Sequence, residues 1–155
     1  MSEFTIIVDT REQKPWNFEN HSIANTKLDT GDYSIQGLED ILCIERKRNV
    51  AEIANNITES RFKDVIDRIK TYKFSFILLE FNIDDVLRYP IGSTIPKKIW
   101  SKIRISPQYI MKNLIDLQVE NNIHVIFCGS SSTAEQIALS IMNRVYKMTM
   151  ESKDV

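Results

Sequence analysis

At 155 residues, with 43% apolar and 26% charged side chains, the chain has the length of one domain and apolar content enough for a core. No apolar run approaches the roughly 20 residues needed to cross a bilayer, and Ser2, Glu3 and Thr5 break up any leader-like start, so an intracellular, non-membrane protein of cytoplasm or nucleus (of the host cell, if viral) is expected. A net charge of −1 excludes a uniformly basic nucleic-acid coat, yet no acid lies between Asp85 and Asp116, where Arg88, Lys97, Lys98, Lys102, Arg104 and Lys112 fall.

Phe4 to Val8 is a short apolar, β-branched run ending at Asp9 and reads as a buried strand. Tyr33-Ser34-Ile35 and Ile41 to Glu45 flank a polar stretch around Gly37, the pattern of a hairpin. Asn49 followed by Glu52 has the spacing of a helix N-terminus. The helical phase that starts at Val50 slips near Ser60, which predicts a kink or two helices. Phe74 to Phe81 is nearly all apolar and is expected to be a central strand. An irregular basic stretch follows from Arg88 to Pro107. Then come a helix over 108–120, a strand over 123–128 and a last helix from about Thr133 to Lys147, with Ser132 and Glu135 spaced as a capping box. Strands alternating with helices give an α/β sandwich around a mixed sheet. Residues 1–150 are read as the domain and 151–155 as a tail.

The chemistry concentrates in Gly31-Asp32-Tyr33 and Ile44-Glu45-Arg46-Lys47. In an antiparallel hairpin centred near Leu38, Asp32 falls opposite Ile44 or Glu45. Alternation along a strand then puts Glu45 and Lys47 on one face and Arg46 on the other. Two carboxylates and an ammonium group converging on one point suit phosphodiester hydrolysis: the carboxylates hold Mg²⁺, and Lys47 orients a metal-activated water and offsets developing charge. Asp9 is a third candidate carboxylate and Glu12 a weaker fourth.

Val8 to Glu12, Gly31-Asp32-Tyr33 and Glu45-Arg46-Lys47 together resemble the nuclease domain of the XPF-type structure-specific endonucleases, of the restriction-endonuclease-like superfamily. The Arg61-Phe62 step, the Phe74-to-Phe81 strand and the segment from Gly129 to Arg144 also fit, so the resemblance spans nearly the whole chain. It implies a restriction-endonuclease-like core, a mixed central sheet with helices on both faces, and a metal-dependent DNA endonuclease that cuts one strand near duplex/single-strand junctions. By resemblance, Asp9, Asp32 and Glu45 are the metal-binding carboxylates, Lys47 is the catalytic lysine, and Arg46 and Arg11 support the site or touch phosphate. Mg²⁺ is the implied cofactor, with Mn²⁺ able to substitute. The pattern expects an Asp four residues after Lys47. The chain has Ala51 there, and the adjacent Glu52 either replaces that acid or only caps the helix. Family members also commonly carry a helix-hairpin-helix module after the nuclease domain. Without one, DNA affinity is expected to depend on dimerisation, the basic stretch or a partner.

Lys97, Lys98, Lys102 and Arg104 interleave with Trp100, which suits phosphates gripped by some of the basic residues or, equally, a solvated loop, with Trp100 read as anchored in the core in preference to stacking on a base. Arg61 joins these as a candidate DNA contact. The serines after Gly129 are explained by helix capping, and Trp16 by packing. The apolar positions of the last helix, Ile137, Ala138, Ile141, Met142, Val145 and Met148 with Leu139 behind, exceed one stripe. A homodimer through this helix is expected. Cys43 and Cys128, both within apolar runs, read as buried reduced thiols. A catalytically silent DNA-binding scaffold and a nuclease of plain duplex DNA are the alternatives, and the intact Gly-Asp and Glu-Arg-Lys residues favour activity.

Overall fold

The computed structural model describes residues 3–153. Its strands are β1 (Thr5–Val8), β2 (Ser22–Asn25), β3 (Tyr33–Ile35), β4 (Leu42–Lys47), β5 (Phe74–Leu79) and β6 (His124–Phe127). Its helices are α1 (Val50–Thr58), α2 (Phe62–Ile69), α3 (Ile83–Leu87), α4 (Pro107–Val119) and α5 (Ser131–Lys153), with a 3₁₀ turn over Lys97–Lys102. The strands form one sheet in the order β2-β1-β3-β4-β5-β6. β3 is antiparallel to both its neighbours, while β1–β2, β4–β5 and β5–β6 are parallel. The mixed sheet expected from the sequence is therefore present.

Alternation along the central strands feeds two cores, one on each face. Ile6, Val8, Tyr33, Ile35, Leu42, Ile44 and Leu78 pack with Ala134, Ala138, Met142 and Val145 of α5. Cys43, Ile77 and Leu79 point the other way and meet Val50, Ile53, Ile66, Val86, Ile110 and Leu114 from α1 to α4. Because side chains alternate, every residue of β4 is committed to one of these layers by its parity. That parity is what sorts the functional side chains at the strand's C-terminal end.

Several local expectations are refined. The helix pair around Ser60 is two helices, α1 and α2, with Asn49 capping the first by accepting from Glu52 N at 2.9 Å. The cap of α5 is Ser130, whose Oγ accepts from Thr133 N at 3.2 Å, rather than Ser132. Glu135 does not reach back to a cap but accepts from Asn17 N at 2.8 Å. α5 runs to Lys153, so residues 151–153 continue the last helix and are not a tail. β2 and α3 lie where no regular element is expected. Cys43 and Cys128 are free and buried. Burial pushes both thiols up, that of Cys128 to about 11, which keeps them protonated and unreactive. No described helix is long and apolar enough to cross a membrane.

Candidate active site

The hairpin of β3 and β4 pairs Tyr33 with Ile44, which places Asp32 across from Glu45, one of the two partners expected for a hairpin centred near Leu38. Gly31 makes this approach possible. It has φ +89°, and a Cβ there would lie 2.7 Å from Cys43 Sγ and 3.3 Å from the Ile44 carbonyl oxygen. With glycine the backbones close up, Asp32 N donates to Ile44 O at 2.9 Å, and the Asp32 carboxylate accepts from Arg46 N at 2.8 Å. An alanine would meet both the clash and the backbone strain of positive φ.

Glu45 is close enough to Asp32 to act on the ionisation of Asp32. Burial, the neighbouring Glu45 charge and a hydrogen bond shared with Glu45 raise the Asp32 pKa well above the carboxylate range, against the opposing pull of Arg46 N. Lys47 shares the face of Glu45, its Nζ 3.8 Å from Glu45 Oε2, and both side chains are largely covered. These three groups line an open cleft together with Glu12, Arg46, Arg48, Glu52 and Asn56. Glu52 stands beside the site, but its Oε1 accepts from Arg48 N and its backbone N–H serves the Asn49 cap. It therefore has a structural task in addition to its place at the cleft.

Asp9 directly follows the neighbouring strand β1, and its N–H donates to Asp32 O at 2.9 Å. Its carboxylate, however, is taken up: one oxygen accepts from Arg11 Nε and the other from Leu28 N, each at 2.8 Å. Burial alone pushes the Asp9 carboxyl up, but these bonds and the Arg11 charge outweigh it and hold the pKa below the usual value. Among the described residues no three His, Cys, Asp or Glu side chains converge as a ready metal cluster. The structure thus brings Asp32 and Glu45 together and leaves Asp9 one step back, orienting an exposed Arg11 whose guanidinium feels both acids.

Arg46 points to the opposite face, as alternation requires, and its guanidinium is buried beneath the site. Nε donates to Glu80 Oε2 at 2.8 Å, and Nη1 donates to Glu12 Oε2 at 3.0 Å and Lys14 O at 2.9 Å. The group also sits 4.9 Å above the Trp16 ring. Burial pulls its pKa down, and the bonds to Glu80 and Glu12 reverse that, so the net effect is upward. The Nε and Nη1 donors of Arg46 are thus spent within the protein. Trp16 is structural, as its apolar setting suggests: it stacks on Tyr33 at 4.4 Å and donates to Glu80 Oε2 at 2.7 Å. Glu80, unmarked by any motif, is the member of this network that sequence reasoning misses.

Of the other candidates, Arg61 is exposed, pairs with Glu59 at 2.7 Å and lines a second opening with Glu45, Lys47 and Arg68. Lys97, Lys98, Lys102 and Arg104 are exposed in and after the 3₁₀ turn. Trp100 is half-buried, its indole N–H held by Ile95 O at 2.9 Å and Lys97 Nζ lying 5.8 Å from its ring. The ring is anchored, not presented as a free stacking platform.

Solved structures share this architecture. An XPF from Aeropyrum pernix superposes with a TM-score of 0.68 at 15% identity, over 97% of this chain and 69% of that one. An XPF from Aeropyrum pernix in complex with DNA gives 0.67 at 17% identity, over 93% and 66%. The fold is thus the restriction-endonuclease-like one, a mixed sheet covered by helices on both faces. No curated protein sequence matches the chain. The model of the ERCC4 domain matches residues 8–139, most of the chain and all of the residues just described around Asp32 and Glu45, and so the chain belongs to the ERCC4 domain family.

Proposed function

We propose that the chain is a metal-dependent DNA endonuclease that cuts one strand of branched DNA near duplex/single-strand junctions. The observation that carries this reading is the pairing of Asp32 and Glu45 beside Lys47 in an open cleft. The relatedness to a protein solved in complex with DNA supports it.

The donor set fits Mg²⁺, with Mn²⁺ as a substitute, because two carboxylates pressed together against their own repulsion are relieved by a hard divalent cation. Asp32 and Glu45 would hold it, with Glu12 at the same cleft and Asp9 as an outer carboxylate. When bound, such an ion polarises the scissile phosphate and supplies a water of lowered pKa. Lys47 orients the attacking water through its ammonium group and offsets the charge that builds on the phosphate oxygens. Arg11, fixed by Asp9, faces the phosphate on the exposed side. Arg61, Lys97, Lys98, Lys102 and Arg104 supply further phosphate contacts.

A cleavage panel of fork, flap, junction, single-stranded and plain duplex DNA, run with Mg²⁺, Mn²⁺ or chelator, tests the proposal. Forks or flaps should be cut with either metal and not in chelator. Equal cutting of plain duplex would replace the junction-selective reading, and no cutting of any substrate would leave a silent DNA-binding scaffold. In the same assay Lys47→Ala should lose at least about 10²-fold in rate with DNA binding retained, the scale of one electrostatic stabiliser.

A homodimer completes the proposal. Beside α5 runs an apolar groove lined by Phe74, Phe76, Ile137, Ile141, Val145 and Met148, across the sheet's outer strands. Met148 is 39% exposed, while Ile137 and Ile141 are partly buried against the core, and this partly open apolar strip supports the second face expected from the sequence. A second copy of the chain fits it, since an isologous contact buries the same patch twice. Light scattering at micromolar concentration should give the dimer mass, and Ile141→Glu the monomer mass. A wild-type monomer would remove this part of the proposal.

A further inference from the structure

The cleft around Asp32 and Glu45 opens in series with two other cavities. It shares Glu45, Lys47 and Asn56 with the opening at Arg61, and Arg48 with a cavity of about 230 Å³ that does not touch Arg61 at all. That last cavity is smaller than the roughly 300–1,000 Å³ pockets of drug-sized ligands. Its walls are mainly apolar: the Ala51 methyl, Ile91, and the rings of Phe81 and Tyr89, themselves buried. Its rim is polar: Asn49, the Asp85 carboxylate and the exposed Thr94 line it, together with Ser93, whose hydroxyl donates to Pro90 O and accepts from Ile95 N.

Arg48 stands at the junction of cleft and cavity. Its guanidinium is held by Glu12 at 3.5 Å and by the Gln13 carbonyl, yet its Nε is shut off from solvent and has no hydrogen-bond partner among the described residues. A buried N–H without an acceptor is unfavourable, and the Arg48 side chain, 34% exposed, can turn to present its guanidinium to an anion at the mouth of the cavity. A phosphate flanked by a base supplies both the acceptor and the apolar body.

Resting on the nuclease reading above, we propose that this cavity takes one unpaired nucleobase of the substrate strand, adjoining the scissile phosphate. The base lies between apolar walls, its edge meets the polar rim, and the phosphate linking it to the cleft meets Arg48. The ligand is a flat heteroaromatic attached to an anion. It must be unpaired, because a base inside a duplex cannot enter a side pocket without leaving the stack. Selection for single-stranded character at the cut then resides in this chain.

The test places one 2-aminopurine, and separately one abasic nucleotide, at successive positions along the unpaired arm and junction of a fork. Fluorescence and binding are read in chelator, and cleavage in Mg²⁺. One position should show a fluorescence change on binding, and abasic substitution there should weaken binding by roughly 5- to 150-fold, the range of one stacked base. Ala51→Met, which fills the cavity, should show the same loss on the intact fork and no further loss on the abasic one. Thr94→Phe, at the exposed rim, should repeat that result and covers the case in which Ala51→Met does not fold. Uniform behaviour at all positions, or indifference to both filled variants, overturns the base pocket even if forks are cut. A position-specific signal without any cleavage upholds the pocket and overturns the nuclease reading instead.

Discussion

Asp32→Asn should lower Mg²⁺-dependent cleavage by at least about 10³-fold and, in chelator at pH 8, should melt higher than the parent. The first effect follows from the several kcal/mol that a metal contributes to the transition state, at about 1.4 kcal/mol per tenfold. An amide is a poor ligand for a hard cation, and Glu45 alone offers half the donor set. The second effect follows from the ionisation of Asp32. Burial first, then Glu45, raise its pKa in the folded protein well above the usual carboxylate value of 3.8. Between those two pH values the folded state binds more protons than the unfolded state. Stability therefore falls as pH climbs from about 4 until Asp32 has ionised. Asparagine keeps the acceptor for Arg46 N, which Asp32 Oδ2 meets at 2.8 Å, and removes the charge. A rise of about 2–4 °C is the scale of a 1 kcal/mol relief in a chain of this size. Melting curves at pH 4 and pH 8 decide the matter, because the gap between variant and parent should close in acid. Added Mg²⁺ should raise the parent's melting temperature and leave the variant's nearly unchanged. A parent more stable than Asp32→Asn at pH 8 in chelator would show that the two carboxylates are not forced together.

The site's two acids were legible because they depend on short-range rules. The turn around Gly37 sets the register of β3 on β4, and alternation along β4 sets which of Glu45, Arg46 and Lys47 share a face. The glycine of Gly31-Asp32 has its reason in the same hairpin, at the Cys43 sulfur. What stayed hidden is long-range or weakly patterned. β2 is the polar edge segment Ser22–Asn25, with Ile23 38% exposed and no alternation to announce it. α3 is five residues long, too short for a helical period. Glu80 reads as the end of an apolar strand, and its partners Trp16 and Arg46 lie 64 and 34 residues away in sequence. Asp9 could be named from the motif, but its commitment to Leu28 N depends on a loop that sequence does not place. Whether a motif residue binds or positions is thus a tertiary question.

Arg46 makes that distinction measurable. Its guanidinium bridges Glu80 and Glu12, at 2.8 and 3.0 Å, with all three side chains less than 10% exposed. Removing one member of a buried ion network leaves uncompensated charge and costs about 3–5 kcal/mol. Arg46→Ala should therefore lower the melting temperature by roughly 6–20 °C, a large effect for a residue in a nuclease motif. Lysine should not rescue it, because a single ammonium cannot reproduce the fork that serves Glu80, Glu12 and Lys14 O together. Activity should fall as well, since Arg46 N holds the Asp32 carboxylate and β4 carries Glu45 and Lys47 on either side. Thermal melts with fork-binding and cleavage assays below the transition separate the two roles. A phosphate-contacting Arg46 would give Ala and Lys variants of normal stability, with weaker DNA binding. A positioning Arg46 gives variants that bind DNA through Arg61 and the basic turn, melt early and cleave slowly. The outcome fixes whether the arginine of the Glu-Arg-Lys sequence acts on the substrate or on the protein that faces it.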